Sequence, residues 1–213
     1  MAGEDLPAVE INGRGLAMDR WFAVEDGDGR FAAGKDTARF RRRDAVYCYS
    51  AAVAGETVTV RRDGREWTAG QQALDQELSA AMGAAVRVLP ESTVPHQDAA
   101  PVSLIGTASL QWCIDNLGVA ADSRRLRANL LFEADQPFVE ESWIGSDLRI
   151  GTAVLRPSQQ ITRCRVIDLA QDGVKTVTPW LKALGGERRL CMGIYADVVA
   201  PGRVALGDRI QIC

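Results

Sequence analysis

At 213 residues, with 46% hydrophobic and 25% charged side chains, the chain has the make-up of a folded protein of one domain or two small fused ones. A formal net charge of -3 supplies no general positive field, so no nucleic-acid partner is expected. No apolar run nears the roughly 18 residues that would cross a bilayer, and Met1-Ala2-Gly3-Glu4-Asp5-Leu6 lacks the basic and apolar regions of a secretion signal; the expectation is a cytoplasmic protein without a membrane segment.

Strand and turn signals come first. Arg20 to Val24 runs through Asp26-Gly27-Asp28-Gly29 into Arg30 to Ala33, which reads as a hairpin with a glycine-rich turn. Thr57 to Arg62 meets Arg65 to Thr68 across Asp63-Gly64, a two-residue hairpin signal. Gln71 to Met82 places Leu74, Leu78, Ala81 and Met82 on one helical face, with Gly83 as the stop. Pro90 to Pro101 reads as the boundary loop between an N-terminal and a C-terminal part. A second helix is predicted from Thr107, as its cap, to Leu117, ending at Gly118. Leu148 to Arg156 reads as strand, and a third short helix starts at Thr178-Pro179 and stops near Gly185-Gly186. Ile194 to Val199, Arg203 to Leu206 and Arg209 to Ile212 are strands separated by Pro201-Gly202 and Gly207-Asp208. Short strands at close spacing predict a mostly β fold, a barrel with a few short helices.

The five cysteines, Cys48, Cys113, Cys164, Cys191 and Cys213, are widely spaced and form no CxxC pair, so a zinc ribbon or thioredoxin site is not expected. With His96 the single histidine, a multi-histidine metal site is excluded. Cys164 stands between Arg163 and Arg165, a positive setting that favours thiolate, the form that attacks electrophiles or ligates soft metals. A lone cysteine is more often a packed thiol, and Cys48, Cys113 and Cys191 are read that way. Arg127 and Asn129 alternate with Leu126, Ala128 and Leu130, which places both on one strand face: inward they need polar partners, outward they are solvated. Arg41-Arg42-Arg43 reads as a solvated run, Glu140 and Glu141 as surface acids, and His96 as a solvated loop residue.

Several separated pieces stand in a fixed order: Met18-Asp19-Arg20-Trp21-Phe22, Asp98-Ala99-Ala100-Pro101-Val102-Ser103, Arg125-Leu126-Arg127-Ala128-Asn129, Pro137 to Trp143, Thr162-Arg163-Cys164, and Gly193-Ile194-Tyr195-Ala196 with Gly207-Asp208. In this order and spacing the chain resembles the MOSC domain with its N-terminal barrel partner, a family that includes the C-terminal part of molybdenum cofactor sulfurase and the mitochondrial amidoxime-reducing component. The resemblance runs from about Gly15 to Ile212. It implies a MOSC-like β-barrel at 96–213 and a reduced, β-rich N-terminal part at 1–95.

The resemblance further implies a molybdopterin-type molybdenum cofactor, with Cys164 as catalytic residue and metal ligand. Arg20, Arg127, Asn129 and Asp98 match cofactor-binding positions, with Lys35 as a further candidate. Guanidinium groups suit a phosphate because their fork gives parallel, charge-assisted hydrogen bonds. The implied activity is oxidoreductase: reduction of small N-hydroxylated substrates, with electrons from a separate partner protein, since the chain shows no GxGxxG and no iron–sulfur cysteine cluster. The alternative is a non-catalytic carrier of cofactor or of a persulfide on Cys164. Three departures from the family pattern matter, one being that Arg165-Val166-Ile167-Asp168-Leu169 lacks the Thr-rich, Asp-Pro ending of many relatives, on the substrate side of the implied pocket. The chain begins after the point where relatives carry a Lys-Ser strand, which leaves a barrel edge for a homodimer partner or another segment to cover. Ile161 replaces the second cysteine that often precedes the ligand, which excludes a local disulfide.

Overall fold

Alternating apolar and polar residues make this chain mostly β. The computed structural model describes residues 1–174 and 176–213. In chain order the first elements are β1 (Ala8–Asn12), β2 (Gly15–Leu16), β3 (Phe22–Asp26), β4 (Phe31–Ala33), β5 (Phe40–Arg42), β6 (Ser50–Ala54), β7 (Thr57–Arg62), β8 (Arg65–Thr68), α1 (Gln72–Met82) and β9 (Val86–Pro90). There follow β10 (Val102–Gly106), α2 (Thr107–Leu117), β11 (Leu130–Phe132), β12 (Leu148–Ile150), β13 (Ala153–Thr162), α3 (Trp180–Arg188), β14 (Cys191–Ala200), β15 (Gly202–Ala205) and β16 (Ile210–Ile212).

The elements group into two units that are not sequential. The first takes Met1–Glu4, Arg20–Asp98 and Leu169–Val177; the second takes Asp5–Asp19, Ala99–Asp168 and Thr178–Cys213. The expected division into 1–95 and 96–213 therefore differs from this grouping at three places. Asp5–Asp19 joins the C-terminal elements because β1 pairs with β15, Ala8 opposite Ala205. Leu169–Val177 returns to the first unit, where the Asp172 amide donates to the Tyr47 carbonyl at 2.8 Å. His96, Gln97 and Asp98 stay with the first unit.

The first unit holds a four-stranded sheet, β5-β4-β3-β9, and a three-stranded sheet, β6-β7-β8. The Asp63-Gly64 hairpin forms as its sequence dictates: both residues take positive φ, 48° and 78°, and Arg62 faces Arg65. In the turn after β3, Asp26 Oδ1 accepts from the amides of Asp28 and Arg30, each at 3.1 Å. Arg20, expected to open this strand, lies outside it with φ 51°. On α1, Leu74 and Leu78 are fully buried, and Gly83 closes the helix in the left-handed region by donating to Ser79 O.

The second unit holds a curled six-stranded sheet, β11-β10-β14-β13-β12-β16, and a three-stranded sheet, β15-β1-β2. Ile11, Val102, Leu104, Leu148, Leu155 and Ile194 pack in one core. A second core joins Leu110, Cys113, Leu126, Ile167, Trp180, Leu184 and Met192. The last three predicted strands all form, but neither turn between them makes a hairpin: β14 pairs with β10 and β13, β15 with β1, and β16 with β12. Thr107 is the first residue of α2 rather than its cap, and its hydroxyl accepts from the Ala134 amide at 3.1 Å. The third helix does not stop at Gly185-Gly186; it runs to Arg188. Gly185 has a packing role, since a Cβ there would lie 3.1 Å from Leu190 Cδ2.

Candidate functional site

β13 ends at Thr162, opposite Cys191 of β14. Its alternation continues for two residues: Ile161 is buried, Thr162 exposed, Arg163 buried and Cys164 exposed. The Arg163 amide donates to Leu190 O at 2.8 Å, prolonging the ladder. Cys164 O then accepts from the Ile167 amide at 3.2 Å, starting a single 3-10 turn over Arg165–Asp168. The Cys164 thiol is thus a free, exposed sulfur on a fixed backbone.

Arg163 points the other way. Its Nε donates to Met192 O and its Nη1 to Leu126 O, each at 2.8 Å. Desolvation draws its pKa down to about 10, against the opposing pull of Tyr195 and Cys164. Gly193, at φ 75°, makes room for this guanidinium: a Cβ there would sit 2.8 Å from Leu104 O and 3.0 Å from Arg163 Nη2.

The shared strand face that alternation predicts for Arg127 and Asn129 does not form. Asp122 caps a 3-10 turn over Ser123–Leu126, and Arg127 closes it in the left-handed region at φ 54°, donating to Arg124 O. β11 begins only at Leu130. Asn129 instead knits this segment to β10: its Oδ1 accepts from the Ser103 amide at 3.0 Å and hydroxyl at 2.8 Å. Its Nδ2 donates to Asp19 Oδ2 at 3.0 Å. The carboxamide is held by protein on both atoms, so Asn129 supports the neighbourhood of Arg127 more than it presents donors outward. Asp19 immediately precedes Arg20.

In the first unit, Lys35 and Asp98 pair with each other, Nζ to Oδ2 at 2.5 Å. Both side chains are exposed enough that the pair contributes at most about 1 kcal/mol to stability. Lys35 also lies 4.9 Å from the centre of the Phe40 ring. Arg39 holds the loop before Asp98 by donating to Pro95 O and Gln97 O. The structure therefore joins Lys35 to Asp98, and the Cys164 turn to the Arg127 turn.

Four sequence expectations are corrected. Glu140 is not a surface acid: it is fully buried, accepting from Ser109 Oγ at 2.9 Å and from the Gly106 amide at the start of α2. Desolvation raises its pKa above 4.5, against those hydrogen bonds. His96 is buried rather than solvated, its ring 4.7 Å edge-on from Phe31. Arg43 leaves the solvated run to pair with Asp26 at 2.9 Å. Of the cysteines read as packed, Cys113 is buried, with desolvation pushing its thiol up to about 11, but Cys48 is exposed and Cys191 half-buried. Sequence reading also missed Arg163 and Arg125 as structural anchors; the alternation through Ile161 was the available signal for Arg163.

The donor set suits a molybdenum cofactor. Among the described residues no group of three or more His, Cys, Asp or Glu could hold a metal by protein ligands alone. A metal already carried by a dithiolene asks the protein for one soft donor, and the exposed Cys164 sulfur is of that kind. No helix among the described residues is long and apolar enough to cross a membrane.

Among solved structures, the YuaD protein from Bacillus subtilis is similar at 15% identity and a TM-score of 0.51, covering 98% of this chain and 86% of that one. That likeness is one of fold. YiiM from Escherichia coli matches at 16% identity and a TM-score of 0.40, covering 54% of each chain. YiiM from Geobacillus stearothermophilus matches at 13% and 0.40, covering 70% of this chain and 67% of that one. No curated protein matches. The MOSC domain matches residues 91–211. MOSC domains in general are associated with binding of the molybdenum cofactor. Because this match spans more than half of the chain, over the segment that holds Arg127, Asn129 and Cys164, the chain belongs to the MOSC domain family.

Proposed function

We propose that this protein binds a molybdopterin-type molybdenum cofactor through Cys164 and acts as an oxidoreductase on small N-hydroxylated compounds. The observation that carries the reading is the free, exposed Cys164 thiol at the end of β13, set by the Arg163–Leu190 and Ile167–Cys164 backbone bonds. Arg127, in the same unit as Cys164, would supply a guanidinium group for the pterin phosphate, and Arg20, Lys35 and Asp98 are further proposed cofactor-binding residues. Bound, the cofactor supplies a two-electron centre: an N-hydroxyl group, two electrons and two protons give the amine and water. The electrons come from a separate protein partner, and the protein is proposed to act in the cytoplasm.

Exposure of Cys164 also favours a second reading, in which its sulfur carries a persulfide to another protein without turnover. The test is molybdenum and pterin content of protein from a cofactor-competent host, for wild type and Cys164→Ser. Near-stoichiometric metal in wild type and loss in the variant supports the first reading, and reduction of an N-hydroxylated substrate by an artificial donor then completes it. Labile, cyanide-releasable sulfur on wild type without metal would support the second.

A further inference from the structure

The turns that carry Cys164 and Arg127 are each held by a buried arginine from the other. Arg125, 1% exposed, donates from Nη1 to Ile167 O at 3.3 Å, in the turn after Cys164. Arg163, 9% exposed, donates from Nη1 to Leu126 O at 2.8 Å, beside Arg127, and from Nε to Met192 O in β14. The pattern is reciprocal: segment 123–127 grips segment 163–168 through one guanidinium, and is gripped by it through the other.

Arg163 is an expensive residue in this position. Its hydrogen-bond partners are two carbonyls rather than a carboxylate, and burying a cation on those terms costs free energy that an apolar side chain would avoid. Gly193, with its positive φ, is a second concession to the same guanidinium. What a guanidinium offers is direction: a planar fork that fixes two acceptors at once, which neither methionine nor the point charge of lysine reproduces.

We propose that Arg125 and Arg163 are positioning residues, a reciprocal clasp that holds the Cys164 sulfur and the Arg127 guanidinium in one preformed arrangement for an anionic, sulfur-ligated cofactor. The inference rests on the reading of Cys164 and Arg127 given above, and adds residues that touch neither cofactor nor substrate.

Two readouts test it. In cofactor-free protein, Arg163→Met is expected to speed amide exchange at Ile167 and Arg127 by about ten-fold, the scale of a lost hydrogen bond to a charged donor, while the β14 amides from Ile194 to Ala196 keep their protection. Arg163→Lys should restore part of it. Unchanged exchange at Ile167 and Arg127, or equal acceleration throughout β14, overturns the clasp. If Arg163→Met does not fold, Arg163→Lys decides on the same amides. In loaded protein, Arg163→Met should speed loss of molybdenum on dialysis, and adding Arg125→Met should speed it no further, since either change opens the clasp. Additive effects, or a wild-type rate of loss in Arg163→Met, overturn the positioning role. If wild type holds no molybdenum, the proposed function fails, and the exchange experiment still decides the clasp.

Discussion

Single side chains carry charge into this protein where water cannot follow, and each leaves a measurable trace. Glu140 is the plainest case. Desolvation raises its pKa above 4.5. A carboxyl whose folded value lies above its unfolded one stabilises the fold while protonated, and that stability is lost as pH rises through the folded value. Stability of the wild type should therefore fall, relative to Glu140→Gln, as pH climbs from about 4.5 toward neutrality. Urea unfolding of both proteins across that range checks the sign; a wild type that gains stability relative to Glu140→Gln as pH rises would show that the carboxylate is the favoured form. Gly193 makes a second residue-scale prediction. Gly193→Ala combines a positive φ with a Cβ 2.8 Å from Leu104 O, and should cost about 2–4 kcal/mol. Guanidinium unfolding measures it, and a change below about 0.5 kcal/mol, typical of innocuous surface positions, would mean the backbone relaxes freely.

At the scale of elements, α1 is held mainly by two side chains. Leu74→Ala should cost about 2–5 kcal/mol in denaturant unfolding, because Leu74 is fully buried and its removal leaves a cavity. An unaltered midpoint would mean that α1 contributes little to the cooperative unit. This helix was legible in the sequence because its apolar spacing and Gly83 agree, and so was the Asp63-Gly64 hairpin, where the turn residues alone set the conformation. Local signals were less informative where partners lie far along the chain. Nothing in Arg203 to Leu206 tells that β15 will pair with β1 rather than with its neighbour. Alternation around Arg127 suggested a strand, but Asp122 and the left-handed Arg127 bend the segment into a turn before β11 starts. In the candidate site, Cys164 stood out in the sequence by its flanking arginines and the family resemblance, while its exposure follows from the alternation that continues past Ile161. The inward course of Arg163 was written in the same alternation, and the acceptors it reaches, Leu126 O and Met192 O, follow only from the assembled fold.

For the whole molecule, the grouping into non-sequential units has practical force. A fragment cut at the expected boundary, 96–213, lacks Asp5–Asp19 and with it β1 and β2. β15 would lose its sheet partner β1, and Ile11, 2% exposed, would leave the core it shares with Leu104 and Leu148. Circular dichroism and size-exclusion chromatography of 96–213 should show a destabilised or aggregating species, whereas the same fragment supplied with residues 5–19 through a flexible linker should recover. Cooperative unfolding of the bare fragment at the full chain's midpoint would show β1 to be dispensable.

The pairing of β1 with β15 and of β12 with β16 also sets a timetable for synthesis. On the ribosome, β1 emerges early and waits with an open edge while most of the chain is still being made. The larger sheet cannot acquire β16 until the last strands are released. The first unit likewise waits for Leu169–Val177. A nascent chain in this position exposes unpaired strand and apolar surface for the length of its translation. Chaperone holding, slow elongation or a lowered growth temperature should therefore govern yield, and the Cys164 turn stays unbraced until Met192 O, on a strand made after it, has emerged.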